Sequence, residues 1–110
     1  MIKQAIIPLA GLGTRLLPIT SVLPKELLPI NGKPGLEYII DECKQAGVKD
    51  IIFVISKKKQ IIKKYFYNDN FFKKIIKKKG KDKRIKYEYD KIRKYKKMIK
   101  FVYQNTPRGT

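Results

Sequence analysis

The stretch from Ile6 to Pro34, IIPLAGLGTRLLPITSVLPKELLPINGKP, constrains the fold more than any other part of the chain. An apolar run, Ile6 to Ala10, breaks into Gly11, Leu12, Gly13, Thr14 and Arg15. Glycines on either side of one leucine let the backbone turn sharply and approach a ligand closely. Thr14 offers a hydroxyl, and Arg15 a forked cation that suits phosphate oxygens. Lys25 follows between Pro24 and Glu26. Pro18, Pro24, Pro29 and Pro34 stiffen the segment, because each fixes its own φ and restricts the residue before it. A loop built for flexibility would be rich in Gly and Ser. This one places cations at chosen points on a rigid, apolar frame, which is what holding two cations at a set separation requires.

The rest of the composition narrows the chemistry. The 110 residues suffice for one small domain with one core. The single cysteine, Cys43, excludes an internal disulfide and makes a reducing compartment the default. No stretch approaches the ~20 apolar residues of a membrane span. The start, MIKQAIIPLAGLG, passes directly into the glycine turn and is not built like a signal peptide. Together these features lead us to expect a cytoplasmic protein. There is no histidine, which removes Ser–His and Cys–His nucleophile pairs, H-E-x-x-H zinc sites and any histidine acid–base step within this chain. Chemistry that needs only cations and positioning, such as phosphoryl and nucleotidyl transfer, passes that filter.

The net charge of +18 is unevenly placed. Residues 1–56 carry six Lys/Arg against five Asp/Glu, a net of +1, whereas residues 57–100 carry twenty against four, a net of +16. The basicity therefore belongs to a different segment from the glycine turn.

Lys3 to Ala10 reads as a strand, apolar without alternation, as suits burial on both faces. The Gly11–Pro34 loop follows. Leu36, Ile39, Ile40, Cys43 and Ala46 mark one face of a helix with Gly47 as its stop, and Cys43 on that face reads as core packing. Ile51 to Ile55 is the clearest strand. Ser56 can cap a helix over Lys57–Tyr67 that buries Ile61, Ile62, Tyr65 and Phe66. Phe71–Lys79 reads as a second helix, with Phe71, Phe72, Ile75 and Ile76 inward, and Lys83–Lys97 as a third, with Ile85, Tyr89, Ile92 and Tyr95 inward. Met98–Tyr103 returns to strand, and Gln104–Gly109 is a loop. Strands alternating with helices imply an α/β fold with three parallel strands and crossover helices. Ligands on such sheets sit at the carboxyl ends of the strands, and both loops should open on that edge.

The glycine turn is neither a Walker A loop nor G-x-G-x-x-G, whose third glycine position holds Leu16. The longer string A-G-x-G-T-R-x-x-P-x-T, then P-K-E-x-L-P, then K-P, is far more specific. It resembles the sugar-phosphate nucleotidyltransferases and, within them, the bacterial UTP–glucose-1-phosphate uridylyltransferases (UDP-glucose pyrophosphorylases). The resemblance covers 1–56 closely, through LEYIIDEC and IIFVIS, and resumes at FVYQNTPRG. It implies a Rossmann-like nucleotidyltransferase fold, incomplete here, that joins UTP and glucose 1-phosphate into UDP-glucose and releases pyrophosphate with Mg²⁺. It also implies roles. Ala10, Gly11 and Gly13 give close backbone contact to the nucleotide, with Thr14 beside them. Arg15 faces the leaving pyrophosphate, and Lys25 the phosphates at the reaction centre. Glu26 reads equally as a nucleotide-site residue near the substrate and as a surface carboxylate or local lysine partner. Gln104 and the Gly109 backbone read the uracil.

Members of that family are much longer. The resemblance implies a continuation into a Gly-His-Ala segment, a strand ending in the metal-binding aspartate and a sugar-binding half. Asp41, Asp50, Asp69, Asp82 and Asp90 do not match the metal position. We therefore expect residues 1–110 to be the N-terminal nucleotide-binding part of a nucleotidyltransferase domain, truncated, with 57–100 as a lysine-rich helical crossover within it. Such a piece is a fragment, part of a split protein or the remnant of a decayed gene, and is expected to be inactive alone. An uncovered sheet edge and apolar face make a homo-oligomer or a missing C-terminal portion the expected partner. The lysine segment, with its interleaved Tyr and Phe, has an alternative reading as a basic polyanion- or nucleic-acid-binding module. Its bias toward residues with AT-rich codons, 23 Lys and 17 Ile against four Arg, also arises without selection for binding.

Overall fold

Three strands, β1 (Gln4–Pro8), β4 (Asp50–Ile55) and β5 (Ile99–Tyr103), form a parallel sheet in the order β1–β4–β5 in a computed structural model that describes residues 4–9 and 14–104. Each is separated from the next by helix, so the chain returns to the same end of the sheet before pairing again. α1 (Gly35–Gln45) lies between β1 and β4, and α2 (Gln60–Phe66), α3 (Asp69–Lys79) and α4 (Lys83–Met98) lie between β4 and β5. The expected parallel α/β architecture is present. β1 is an edge strand, which is why it tolerates Pro8, a residue that cannot donate to a ladder.

The register sorts the side chains. Ile7, Phe53 and Phe101 are aligned across the sheet, as are Ile51 and Ile99 with Ala5. These face Leu36 and Ile40 of α1, Ile62 and Phe66 of α2, and Ile92 and Tyr95 of α4, which form one buried cluster with them. Ile6, Ile52 and Lys100 make the alternate row, with Pro8, Val54 and Val102 above it. The expectation that β1 is buried on both faces is therefore corrected. Its burial alternates, and Ile6 is 65% exposed. The run is apolar on both sides, but the described helices pack on one.

α1 ends as its sequence requires. Gly47 takes φ +83°, a conformation that favours glycine, and Val48 donates back to the Cys43 carbonyl at 3.0 Å. The remaining departures are local. Ser56 precedes the next turn but makes no side-chain cap. Lys57–Lys59 form a single 3-10 turn, and α2 starts only at Gln60. Ile61 and Phe71 point to solvent, while Ile62, Phe66 and Phe72 take the inward positions. The helices expected at 71–79 and 83–97 start and end within two residues of those bounds, and Asp82 caps the second by accepting from the Arg84 amide at 2.9 Å. No described helix is long and apolar enough to cross a membrane.

Candidate functional site

β1 and β5 leave the sheet on either side of β4. The Leu9 amide donates to the Val54 carbonyl, and the Gln104 amide to that of Ile55, each at 2.8 Å. Both loops singled out in the sequence therefore emerge at the carboxyl end of β4, on the edge where parallel sheets bind ligands.

The segment after the glycine turn is a chain of tight turns. Single 3-10 turns occupy Thr14–Leu16, Ile19–Ser21 and Lys25–Leu27. Ser21 closes back on Pro18 through both its amide (3.0 Å) and its hydroxyl (2.6 Å). A two-residue hairpin follows, β2 (Pro29–Ile30) against β3 (Lys33–Pro34), turning through Asn31 (φ 53°) and Gly32 (φ 78°). Asn-Gly is the preferred pair for such a turn, so the segment expected to be loop from Gly11 to Pro34 contains a hairpin that its own sequence encodes. The hairpin is tied to α1 by the Tyr38 hydroxyl donating to Ile30 (2.8 Å) and by the Lys33–Asp41 ion pair, with Lys33 lying 4.5 Å over the Tyr38 ring.

Arg15 lies on the first turn and Lys25 on the third, both exposed. Neither forms an ion pair among the described residues, which leaves both cations open to an anion from solvent. Glu26, beside Lys25, points the other way. It is 8% exposed, and both its oxygens lie 3.1 Å from Nζ of Lys59, also 8% exposed. The expected surface carboxylate or local lysine partner is thus replaced by a buried ion pair with a distant one. Sequence reasoning missed Lys59, because nothing distinguishes it from its neighbours in Lys57–Lys58–Lys59. Gln104 is half-buried at the end of β5. Thr14 opens the first turn. Ala10, Gly11, Gly13 and Gly109 lie outside the described residues.

A second polar cluster sits between the helices. Glu37, 1% exposed, accepts from the Tyr65 hydroxyl on one oxygen and lies 3.0 Å from Nζ of Lys91 on the other. Burial opposes the charge on Lys91, but Glu88 and Glu37 outweigh it and raise its pKa. Asp41 accepts from Tyr95 (3.0 Å) as well as from Lys33. Burial pushes its carboxyl upward, and these partners more than offset it, so its pKa ends below the ordinary value. Cys43 is half-buried against the core, and burial, then Glu42, pushes its thiol up, away from the reactive thiolate.

The acidic groups do not fit a metal site. Asp41 is committed to Lys33 and Tyr95, Asp69 to Lys96, Glu37 to Lys91 and Tyr65, Glu26 to Lys59, and Asp82 to a helix cap. Among the described residues no cluster of three metal-binding side chains forms.

The family model described as Nucleotidyl transferase matches residues 4–72, more than half the chain and the whole span from β1 through α2. The chain belongs to the nucleotidyl transferase family. Within it, the chain is 51% identical over 81 residues to a UTP–glucose-1-phosphate uridylyltransferase of Staphylococcus haemolyticus, covering 74% of this chain and 28% of that protein. Among solved structures it is similar to an apo UDP-glucose pyrophosphorylase, with 34% identity and a TM-score of 0.78 over 99% of this chain and 39% of that one. It is also similar to a UTP-bound UGPase from Acinetobacter baumannii, with 30% identity and a TM-score of 0.75 over 99% of this chain and 38% of that one. The sheet and crossover helices thus match the nucleotidyl transferase fold of these neighbours. The chain spans about 28% of the length of the curated relatives it matches.

Proposed function

We propose that this nucleotidyl transferase chain is the UTP-binding part of a uridylyltransferase that makes UDP-glucose and pyrophosphate from UTP and glucose 1-phosphate. The observation that carries the reading is the pair of exposed cations, Arg15 and Lys25, on rigid turns that follow β1. In the proposed reaction, a phosphate oxygen of the sugar phosphate attacks the α-phosphorus in line. The bond from that phosphorus to the oxygen bridging to the β-phosphate breaks, and the electron pair leaves with pyrophosphate. Arg15 would neutralise the charge gathering on pyrophosphate, and Lys25 the charge at the phosphorus under attack. The glycines Gly11 and Gly13 and the loop after Gln104 would hold the nucleoside. The resemblance also implies Mg²⁺. Among the described residues no group of three metal-binding side chains stands ready to hold it. With the acceptor pocket and metal ligands unassigned, this chain should hold UTP and turn it over negligibly.

The test is UTP binding by the chain itself, read by calorimetry and by thermal shift. UTP at millimolar levels should raise the melting temperature, and Arg15→Ala or Lys25→Ala should each weaken binding by about tenfold or more, the worth of one charge-assisted contact to phosphate. A wild-type chain that UTP neither binds nor stabilises has no nucleotide site.

A second property follows from charge alone. Lys73, Lys74, Lys77, Lys78 and Lys79 are exposed along α3. The nearby aromatics are largely used internally. Tyr65, Phe66 and Tyr95 pack with the core, Phe72 stacks on Tyr89, and lysines lie over Tyr67, Tyr87 and Tyr103. This favours adhesion to polyanions without base stacking. Binding to RNA or DNA should therefore ignore sequence and fall steeply with added salt.

A further inference from the structure

We infer that the buried Glu26–Lys59 ion pair sets the position of Lys25 for the triphosphate, making Glu26 and Lys59 positioning residues; this inference rests on the nucleotide reading above. Lys25 and Glu26 share one 3-10 turn, closed by the Leu27 amide on the Pro24 carbonyl (3.0 Å) and the Leu28 amide on that of Lys25 (3.1 Å). A turn this short has few ways to keep one residue fixed while its neighbour moves. Pro24 is buried, and Leu27 packs against the core, so the turn is seated at both ends. Its seat is apolar, however, and apolar contacts do not choose one orientation. The ion pair does, because both carboxylate oxygens engage a single ammonium at 3.1 Å.

The other end of the pair belongs to the sheet edge. Lys59 closes the turn that leaves β4, donating its amide to the Ser56 carbonyl at 3.0 Å, and it stands as the residue before α2 with φ −107° and ψ 22°. Lys59 thus marks the place where β4 ends, between the exits of β1 and β5. The pair ties the Pro24–Lys25–Glu26 turn to that place. A buried pair is a poor source of net stability, since desolvation cancels much of the attraction. Its role is better explained by what it orients: an exposed Lys25 held on a turn anchored to the end of β4.

Positioning and simple electrostatics lead to opposite expectations for one of the two partners. Glu26→Gln raises the net charge and Lys59→Met lowers it. If only long-range attraction mattered, the first would tighten UTP binding and the second would loosen it. Positioning requires both to weaken UTP by about tenfold, with uridine affinity unchanged because uridine lacks the phosphates. Lys57→Met, an exposed neighbour with the same charge change, should leave UTP affinity near the wild-type value. The double variant Glu26→Gln/Lys59→Met leaves no unpaired buried charge, so it should fold and still show the loss. Hydrogen exchange at the Leu27 and Leu28 amides should speed up in each Glu26 or Lys59 variant, without nucleotide present. Opposite shifts for Glu26→Gln and Lys59→Met, or a folded double variant with wild-type UTP affinity, overturn the inference while leaving the nucleotide reading intact. Absence of UTP binding by the wild-type chain overturns both.

Discussion

The two faces of the sheet are built from similar residues and have different fates. One presents Ile7, Ile51, Phe53, Ile55, Ile99 and Phe101 to the helices, and three of these (Ile51, Phe53 and Ile55) are wholly buried. The other presents Ile6, Ile52, Val54 and Val102, with Ile6 65% and Val102 49% exposed. The strand sequences report that both faces are apolar. They do not report which face receives α1, α2 and α4, because that depends on the path of the crossovers. Fold stability should follow the helices and not the hydropathy of the strands.

The largest test of that contrast lies at Phe53, in the central strand. Its ring lies 5.8 Å from that of Phe101, and Phe101 in turn meets Phe66 of α2 at 6.0 Å. Phe53→Ala should cost about 3–5 kcal/mol, from lost transfer energy plus the cavity left behind. The midpoint of urea unfolding measures this directly. A loss of about 1 kcal/mol or less would mean that the covered face is not the core.

The covered side also hides charge, and the next effect tests whether that polar layer contributes to stability. Tyr65→Phe removes one of the two partners of the buried Glu37 carboxylate and should cost about 1.5–3 kcal/mol, the range for hydrogen bonds to charged groups. Burial, followed by the bond to Glu37, raises the Tyr65 hydroxyl pKa well above its ordinary value near 10. The folded state thus favours the neutral phenol. Its stabilising contribution is complete below about pH 10 and is lost as the pH climbs toward the raised folded value. Tyr65→Phe should therefore flatten part of the alkaline limb of the stability curve, as seen in urea midpoints measured across pH.

At the acid end the sign reverses. The folded-state pKa of Asp41 is lowered, so its contribution is present above the ordinary carboxylate value near 4 and is lost as the pH falls through the lower folded value. Asp41 remains a third exposed, and solvent screens its pairing with Lys33, so Asp41→Asn should cost under about 1 kcal/mol at neutral pH. The same variant should reduce the drop in stability between pH 4 and more acid conditions. An unchanged acid limb would show that Asp41 does not drive it.

Much of the scaffold was legible because its signals are local. The 3-1-3-3 spacing of apolar residues with Gly47 gave α1, and the β-branched run after Asp50 gave β4. Arg15 and Lys25 stand out in the sequence because they lie singly in the near-neutral half, and the fold places both exposed on turns. What escaped was of two kinds. The Asn31–Gly32 hairpin carries its signal in a single Asn-Gly pair, inside a stretch whose prolines read as loop. The Glu26–Lys59 pair had none, because it joins residues 33 positions apart and its lysine lies in a run of identical neighbours. Its partner was fixed by the fold, as β4 ends beside the turn that carries Glu26. Burial on one face of β1 belongs to the second kind too.

The smallest expected effects lie on the open face and complete the contrast. Ile6→Thr and Val102→Thr each replace a β-branched residue with another of good strand propensity and leave the backbone ladder intact. With both side chains about half exposed or more, each change should move stability by no more than about 0.5 kcal/mol, far below Phe53→Ala. The measurement is again the urea midpoint, taken at two protein concentrations tenfold apart. Equal midpoints with small shifts mean that this face meets water in the folded chain. A large loss that grows on dilution would mean that these residues are covered by association in solution, since only a binding equilibrium makes stability depend on concentration. In that case the difference between the faces would lie in what covers each, helices of the same chain on one side and another molecule on the other.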